Sequence, residues 1–166
     1  ITEIPPELSR DKSVIVVGGG DAAFDYALNL RRNENRVTIV SRSEPHCLPL
    51  LRSRAESSGI KVFTGCVPEL VQEKPGGVLL RCRSESGRAE FRGDLMLNAC
   101  GRAPDLGILS PALRRKARVG KGIPETGVPG MYIVGDAARG RHRQTGIAVG
   151  DGIRAAMIVH EFLKKS

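Results

Sequence analysis

Ser13-Val14-Ile15-Val16-Val17-Gly18-Gly19-Gly20-Asp21-Ala22-Ala23 is the stretch on which the fold turns. Its first five residues are apolar or small and show no polar alternation, the pattern of a strand buried on both faces. Three glycines end the run. A helical pattern then continues to Arg32, with Ala23, Ala27 and Leu30 on one face and Phe24 and Leu28 beside them. Arg36-Val37-Thr38-Ile39-Val40 reads as a second buried strand, so the segment predicts one βαβ unit. The glycines fall where strand passes to helix, as Gly18-x-Gly20-x-x-Ala23. In that context Gly18 permits a tight turn, Gly20 lets backbone approach a pyrophosphate on the helix N-terminus, and a small residue at position 23 allows close packing. Gly18, Gly19, Gly20, Asp21 and Ala22 are therefore the candidate dinucleotide-binding residues. The competing reading is a glycine turn that only joins strand to helix.

The end of the second strand bears on which dinucleotide fits. A site for NADH usually carries an acidic residue there, which accepts hydrogen bonds from the ribose hydroxyls. This chain has Ser41, followed by Arg42, whose guanidinium suits a 2′-phosphate. The pair predicts NADPH in preference to NADH. Glu44 points the other way, since a strand end three residues later would put a carboxylate near the ribose.

Further along, a second helix is expected over 47–58 and a third strand over 60–63. The segments 67–72, 78–84 and 88–92 are strand-like and separated by Pro75-Gly76-Gly77 and Ser86-Gly87, which predicts an antiparallel meander. Residues 94–99 return to a buried parallel strand. After Gly101-Arg102-Ala103-Pro104-Asp105 a loop-rich stretch runs to Gly130, then a short strand, Met131-Tyr132-Ile133-Val134, and a last helix over 145–163. The expected class is α/β: a Rossmann-like three-layer domain over 1–104, with a parallel sheet and a meander, and a strand–helix segment over 105–166. Ile147, Val149, Ile153, Met157, Ile158 and Phe162 give the last helix an apolar set that calls for a covering surface.

Composition narrows the function classes. The 166 residues carry a formal net charge of +8, with 26 Lys and Arg against 18 Asp and Glu. Clustered cations invite a nucleic-acid reading, here in Arg114-Arg115-Lys116-Ala117-Arg118 and Arg139-Gly140-Arg141-His142-Arg143. Neither cluster is interleaved with aromatics, and Trp is absent, so a stacking platform is not expected. Anionic cofactors or an acidic electron-carrier protein would also suit the charge. Cys47, Cys66, Cys82 and Cys100 lie far apart with no zinc-type spacing, so no metal site is expected and each reads as a buried small hydrophobe. No apolar run approaches the about 20 residues needed to cross a bilayer, and the opening residues 1–12 lack a signal peptide's apolar core; a cytoplasmic location is expected.

Val16-Val17-Gly18-Gly19-Gly20-Asp21-Ala22-Ala23, the strand Val37–Val40 with Ser41-Arg42, and Cys100-Gly101-Arg102-Ala103-Pro104 together resemble the NADPH domain of thioredoxin reductase-like flavoproteins. Val128-Pro129-Gly130-Met131-Tyr132-Ile133-Val134-Gly135-Asp136 resembles the segment that closes the FAD domain in that family, and Arg143-Gln144-Thr145 with the helix after it resembles the flavin-side helix. The resemblance implies FAD beside NADPH, with Asp136 on the flavin ribitol, Gln144 and Thr145 presenting backbone groups to the flavin's pyrimidine edge, and Gly101 and Gly135 in the cofactor contacts. It implies hydride transfer between NADPH and flavin, with no acid, base or nucleophile required from this chain.

Two family features are absent from the chain: the glycine-rich βαβ unit for the ADP half of FAD, and a redox-active C-x-x-C. The FAD-binding half is accordingly expected from a separate subunit, a second copy of this chain, or a removed portion of the polypeptide. The alternative function is a non-catalytic NADP(H)-binding sensor or regulatory module.

Overall fold

The computed structural model describes residues 10–117, 125–139 and 143–164. The lead at 4–7, along with Arg118, Gly140, Arg141 and His142 of the basic clusters, lies outside the described residues. The chain divides into two units, Ile1–Gly101 and Arg102–Ser166.

The first unit follows the order β1 (Ser13–Val17), α1 (Asp21–Arg32), β2 (Arg36–Val40), α2 (Pro49–Ser57), β3 (Lys61–Phe63), β4 (Val67–Lys74), β5 (Gly77–Ser84), β6 (Gly87–Gly93) and β7 (Leu95–Asn98). Four strands make a parallel sheet in the order β3-β2-β1-β7, and β4-β5-β6 make a separate antiparallel sheet. In β1 the side chains alternate between two cores. Val14 and Val16 join Phe24, Ala27, Leu30 and Ile39 under the helices, whereas Ile15 and Val17 join Val40, Cys66, Leu80 and Cys82. The parallel sheet thus has a helical layer on one face and the meander on the other, as a strand without polar alternation requires. Phe24, Val16 and Ile39 are fully buried, and each contributes about 1.5–3 kcal/mol by leaving water.

Local chemistry sets the ends of these elements. Asp21 sits in the first turn of α1 and Arg31 and Arg32 in its last, both complementing the helix dipole. Asn35 is fully buried just beyond; its Oδ1 accepts the Lys12 N–H at 3.0 Å and its Nδ2 donates to the Leu30 carbonyl at 3.0 Å. That side chain ties the end of α1 to the start of β1. The second helix is shorter than expected, because Leu48 is its N-cap and Pro49 its first residue. The meander strands are longer, since Gly76 and Gly77, both at positive φ, turn the chain tightly and let pairing run to Lys74↔Gly77.

In the second unit a short helix α3 (Pro111–Lys116) occupies part of the stretch read as loop. Ser110 caps it, accepting the Leu113 N–H on its hydroxyl at 3.3 Å. The expected strand over 131–134 is corrected: among the described residues only Tyr132 pairs, in a single antiparallel bridge with Glu125. The reason is local, for the buried Thr126 hydroxyl donates to the Met131 carbonyl at 2.9 Å and Met131 N–H closes a turn on Val128. Those groups are then not free for a ladder. A 3₁₀ turn, Gly135–Ala137, precedes α4 (Thr145–Lys164).

The reading of all four cysteines as buried is also corrected. Cys66 and Cys82 are buried, Cys47 is half-buried, and Cys100 is exposed. Burial pushes the Cys82 thiol up to about 11. No described helix is long and apolar enough to cross a membrane, and no His, Cys, Asp and Glu cluster suited to a metal ion occurs among the described residues.

Candidate nucleotide site

A cleft of about 440 Å³ opens at the carboxyl ends of β1 and β2 in the first unit. It brings together Gly18, Gly19, Gly20, Asp21, Ala22, Ser41, Arg42 and Gly101, all expected from the sequence at the site. Open parallel sheets bind ligands at this end of the strands.

The glycines are required for different reasons. Gly18 has φ +151°, and a Cβ there would stand 2.5 Å from the Ala99 carbonyl oxygen. Its N–H donates to the Val40 carbonyl at 3.0 Å, which locks the turn to the neighbouring strand. A Cβ at Gly19 would stand 2.5 Å from Ser41 Oγ. Gly20 is the N-cap of α1 and supplies no side-chain hydrogen bond; the Ala23 N–H turns back to the Gly20 carbonyl at 3.0 Å, and the Asp21 and Ala22 amides are left for an occupant of the cleft. This bare backbone cradle fits a pyrophosphate.

The second-strand end is arranged by Ser41, which is buried; its N–H donates to the Phe63 carbonyl and its hydroxyl to the Ser43 carbonyl at 2.7 Å. Arg42 is exposed on the cleft and its side chain has no hydrogen-bond or ion-pair partner among the described residues. Glu44, the contrary sign in the sequence, is held away by Arg52, which pairs with it at 3.3 Å and with Glu56 at 3.1 Å. Those contacts, the Glu56 hydrogen bond first, raise the Arg52 pKa. One cation is therefore free at the cleft and the nearby carboxylate is engaged.

Residues 43–48 fold back over the glycine turn, which the sequence reading missed. The His46 N–H donates to the Gly19 carbonyl at 2.9 Å, and the Leu48 N–H donates to the Asp21 carboxylate at 2.7 Å. His46 thereby lines the cleft. The only signal for it in the sequence is the Pro45-His46 turn between strand and helix, which does not say where the turn lands. Cys100 lines the cleft too, its thiol directed to the Val17 carbonyl at 3.6 Å. Burial, and then Asp21, raise the Cys47 thiol pKa, the direction away from a reactive thiolate.

The four remaining expected residues, Gly135, Asp136, Gln144 and Thr145, belong to the second unit. Gly135 has φ +66° and opens the 3₁₀ turn, where the Asp136 carboxylate pairs with Arg102 at 3.5 Å. The Gln144 carbonyl accepts the Ala148 N–H at 2.9 Å and Thr145 is the first residue of α4, so both stand at a helix N-terminus. Val149, Ile153, Met157 and Phe162 of that helix are exposed.

The family described as pyridine nucleotide-disulphide oxidoreductase matches residues 3–152. A ferredoxin–NADP reductase of Bradyrhizobium sp. is 32% identical over 78% of this chain and 41% of its own length. A thioredoxin reductase of Debaryomyces hansenii is 28% identical over 94% of this chain and 51% of its own. The crystal structure of Lactococcus lactis thioredoxin reductase superposes with a TM-score of 0.76 at 27% identity, covering 95% of this chain and 55% of that one. The chain thus spans about half the length of such relatives.

Proposed function

The chain belongs to the pyridine nucleotide-disulphide oxidoreductase family, and from that premise we propose that it is the nicotinamide-nucleotide-binding portion of a FAD-dependent NAD(P)H oxidoreductase, with NADPH as its dinucleotide. The observation that carries the proposal is the cleft at the glycine turn, where Gly18 and Gly19 have no room for a side chain and Arg42 stands without a partner. The turn Gly18–Ala22 holds the pyrophosphate through backbone amides other than that of Gly18, which is bound to the Val40 carbonyl, and Ser41 and Arg42 receive the adenosine ribose and its 2′-phosphate. Bound nicotinamide and flavin would supply the hydride chemistry between them, and the protein's part is to bind and orient.

Asp136 and the N-terminus of α4 at Gln144 and Thr145 form the flavin side, with the rest of the FAD site contributed from outside these residues. A helix N-terminus favours the negative charge that develops on reduced flavin. A protein carrier, a small molecule and a disulfide are all open as the electron acceptor; the net charge of +8 suits an acidic carrier.

Calorimetric titration of the chain with NADPH, NADH and FAD tests the proposal. NADPH should bind at least tenfold more tightly than NADH. Equal affinities would remove the 2′-phosphate role, and no nucleotide binding would overturn the proposal. NADPH binding with no flavin retained even when the FAD-bearing half is supplied would favour the sensor reading.

A further inference from the structure

His46 is placed at the glycine turn by main-chain contacts and not by its own side chain. The turn over residues 43–48 is pinned at two points, by His46 N–H on the Gly19 carbonyl at 2.9 Å and by Leu48 N–H on the Asp21 carboxylate at 2.7 Å. The ring consequently lies beside Gly20, where a Cβ would come within 3.1 Å of Nε2. That is the face of Gly20 that a pyrophosphate must approach. The imidazole itself has no hydrogen-bond partner among the described residues and borders the cleft.

The charged neighbours leave it available. The Asp21 carboxylate is taken by the Leu48 N–H, Glu44 is paired with Arg52, and Arg42 carries the free positive charge at the cleft. In either tautomer an imidazole has one N–H to donate, and a donor aimed at phosphate makes a charge-assisted hydrogen bond. Ser41 Oγ lies against Gly19, whereas the ring lies against Gly20. Arg42 on the Ser41 side and His46 on the Gly20 side therefore address different phosphates.

We propose that His46 is a dinucleotide-binding residue whose imidazole donates to the pyrophosphate, supporting affinity for NADPH and NADH alike, while Arg42 sets the preference between them. The inference rests on the nucleotide reading of the cleft.

Calorimetric titration of wild-type chain, His46→Ala and His46→Gln with NADPH and with NADH tests it. His46→Ala should weaken both nucleotides by the same factor, on the order of tenfold, the loss of one hydrogen bond to a charged group. His46→Gln should recover most of the loss, since its amide also donates, and both variants should melt at the wild-type temperature because the side chain is exposed. Unchanged affinity in His46→Ala, or a loss confined to NADPH, would overturn the inference while leaving the nucleotide site standing. Failure of the wild-type chain to bind either nucleotide would overturn site and inference together.

Discussion

Arg139 and Asp151 form a two-point ion pair in the second unit: Nε donates to Oδ2 at 2.9 Å and a terminal guanidinium nitrogen donates to Oδ1. The Asp151 side chain is only 7% exposed, and the nearby Gly135 backbone adds to Arg139 in lowering its pKa. One carboxylate on α4 thus holds the arginine that follows the 3₁₀ turn carrying Asp136. Arg143 extends the arrangement, donating to the Arg139 carbonyl at 3.2 Å and to the Arg102 carbonyl.

Acid should therefore loosen the second unit. The Arg139 hydrogen bond is the main cause that holds the Asp151 carboxyl below the usual carboxylate range. A lowered folded-state value means that the pair's stabilisation is present above the unfolded pKa and is lost as pH falls through the folded one. Thermal melts from pH 7 down to pH 2 should show a loss below about pH 4 that is smaller in Asp151→Asn. Asp151→Asn should also melt several degrees below wild type at pH 7, because Arg139 loses its charged partner. Identical melts would remove the pair from the structure's support.

Charge at the end of β2 should decide nucleotide preference. Arg42→Ala is expected to weaken NADPH at least tenfold and NADH less than twofold, the signature of a lost guanidinium–phosphate contact. Parallel titrations of the variant with both nucleotides check this, and equal losses would contradict it.

The glycines should fail in two distinguishable ways. Gly18→Ala places a Cβ against the Ala99 backbone, which cannot swing aside, so expression of folded protein or the melting temperature should fall. Gly20→Val meets only the His46 ring, so the fold should persist while the cradle is blocked. Circular dichroism and NADPH titration on both variants separate the outcomes.

Core truncation between α1 and the parallel sheet should be severe. Phe24 is fully buried in the same cluster as Val14, Val16 and Ile39, and Phe24→Ala should cost about 3–5 kcal/mol in urea unfolding. A loss under about 1 kcal/mol would mean that this cluster is not the principal core.

How much of this was legible follows from the range of each signal. The β1–α1–β2 unit was readable because Val14–Val17 lack alternation and Ala23, Ala27 and Leu30 repeat with helical spacing; both are local patterns. The meander was readable from Gly76-Gly77 and Gly87, whose positive φ the turns demand. Helix α3 was obscured by its length of six residues, although Ser110-Pro111 is a helix-start signal. The run 131–134 has strand composition, but both backbone groups of Met131 are engaged locally, its carbonyl by the Thr126 hydroxyl and its N–H by Val128. The position of His46 was out of reach because it depends on where a turn folds, 27 residues from its partner in the chain at the Asp21–Leu48 contact. Periodicity in α4 revealed its apolar set, but periodicity names no covering surface.

The most direct test is a ¹H–¹⁵N NMR titration of the chain with NADPH. Saturable shifts should concentrate at Gly18–Ala22, Ser41–Ser43, His46 and Gly101, with smaller shifts on NADH addition at Arg42. Absence of saturable shifts, or shifts centred on the opposite end of the sheet at Lys74–Val78, would contradict a nucleotide site at the glycine turn.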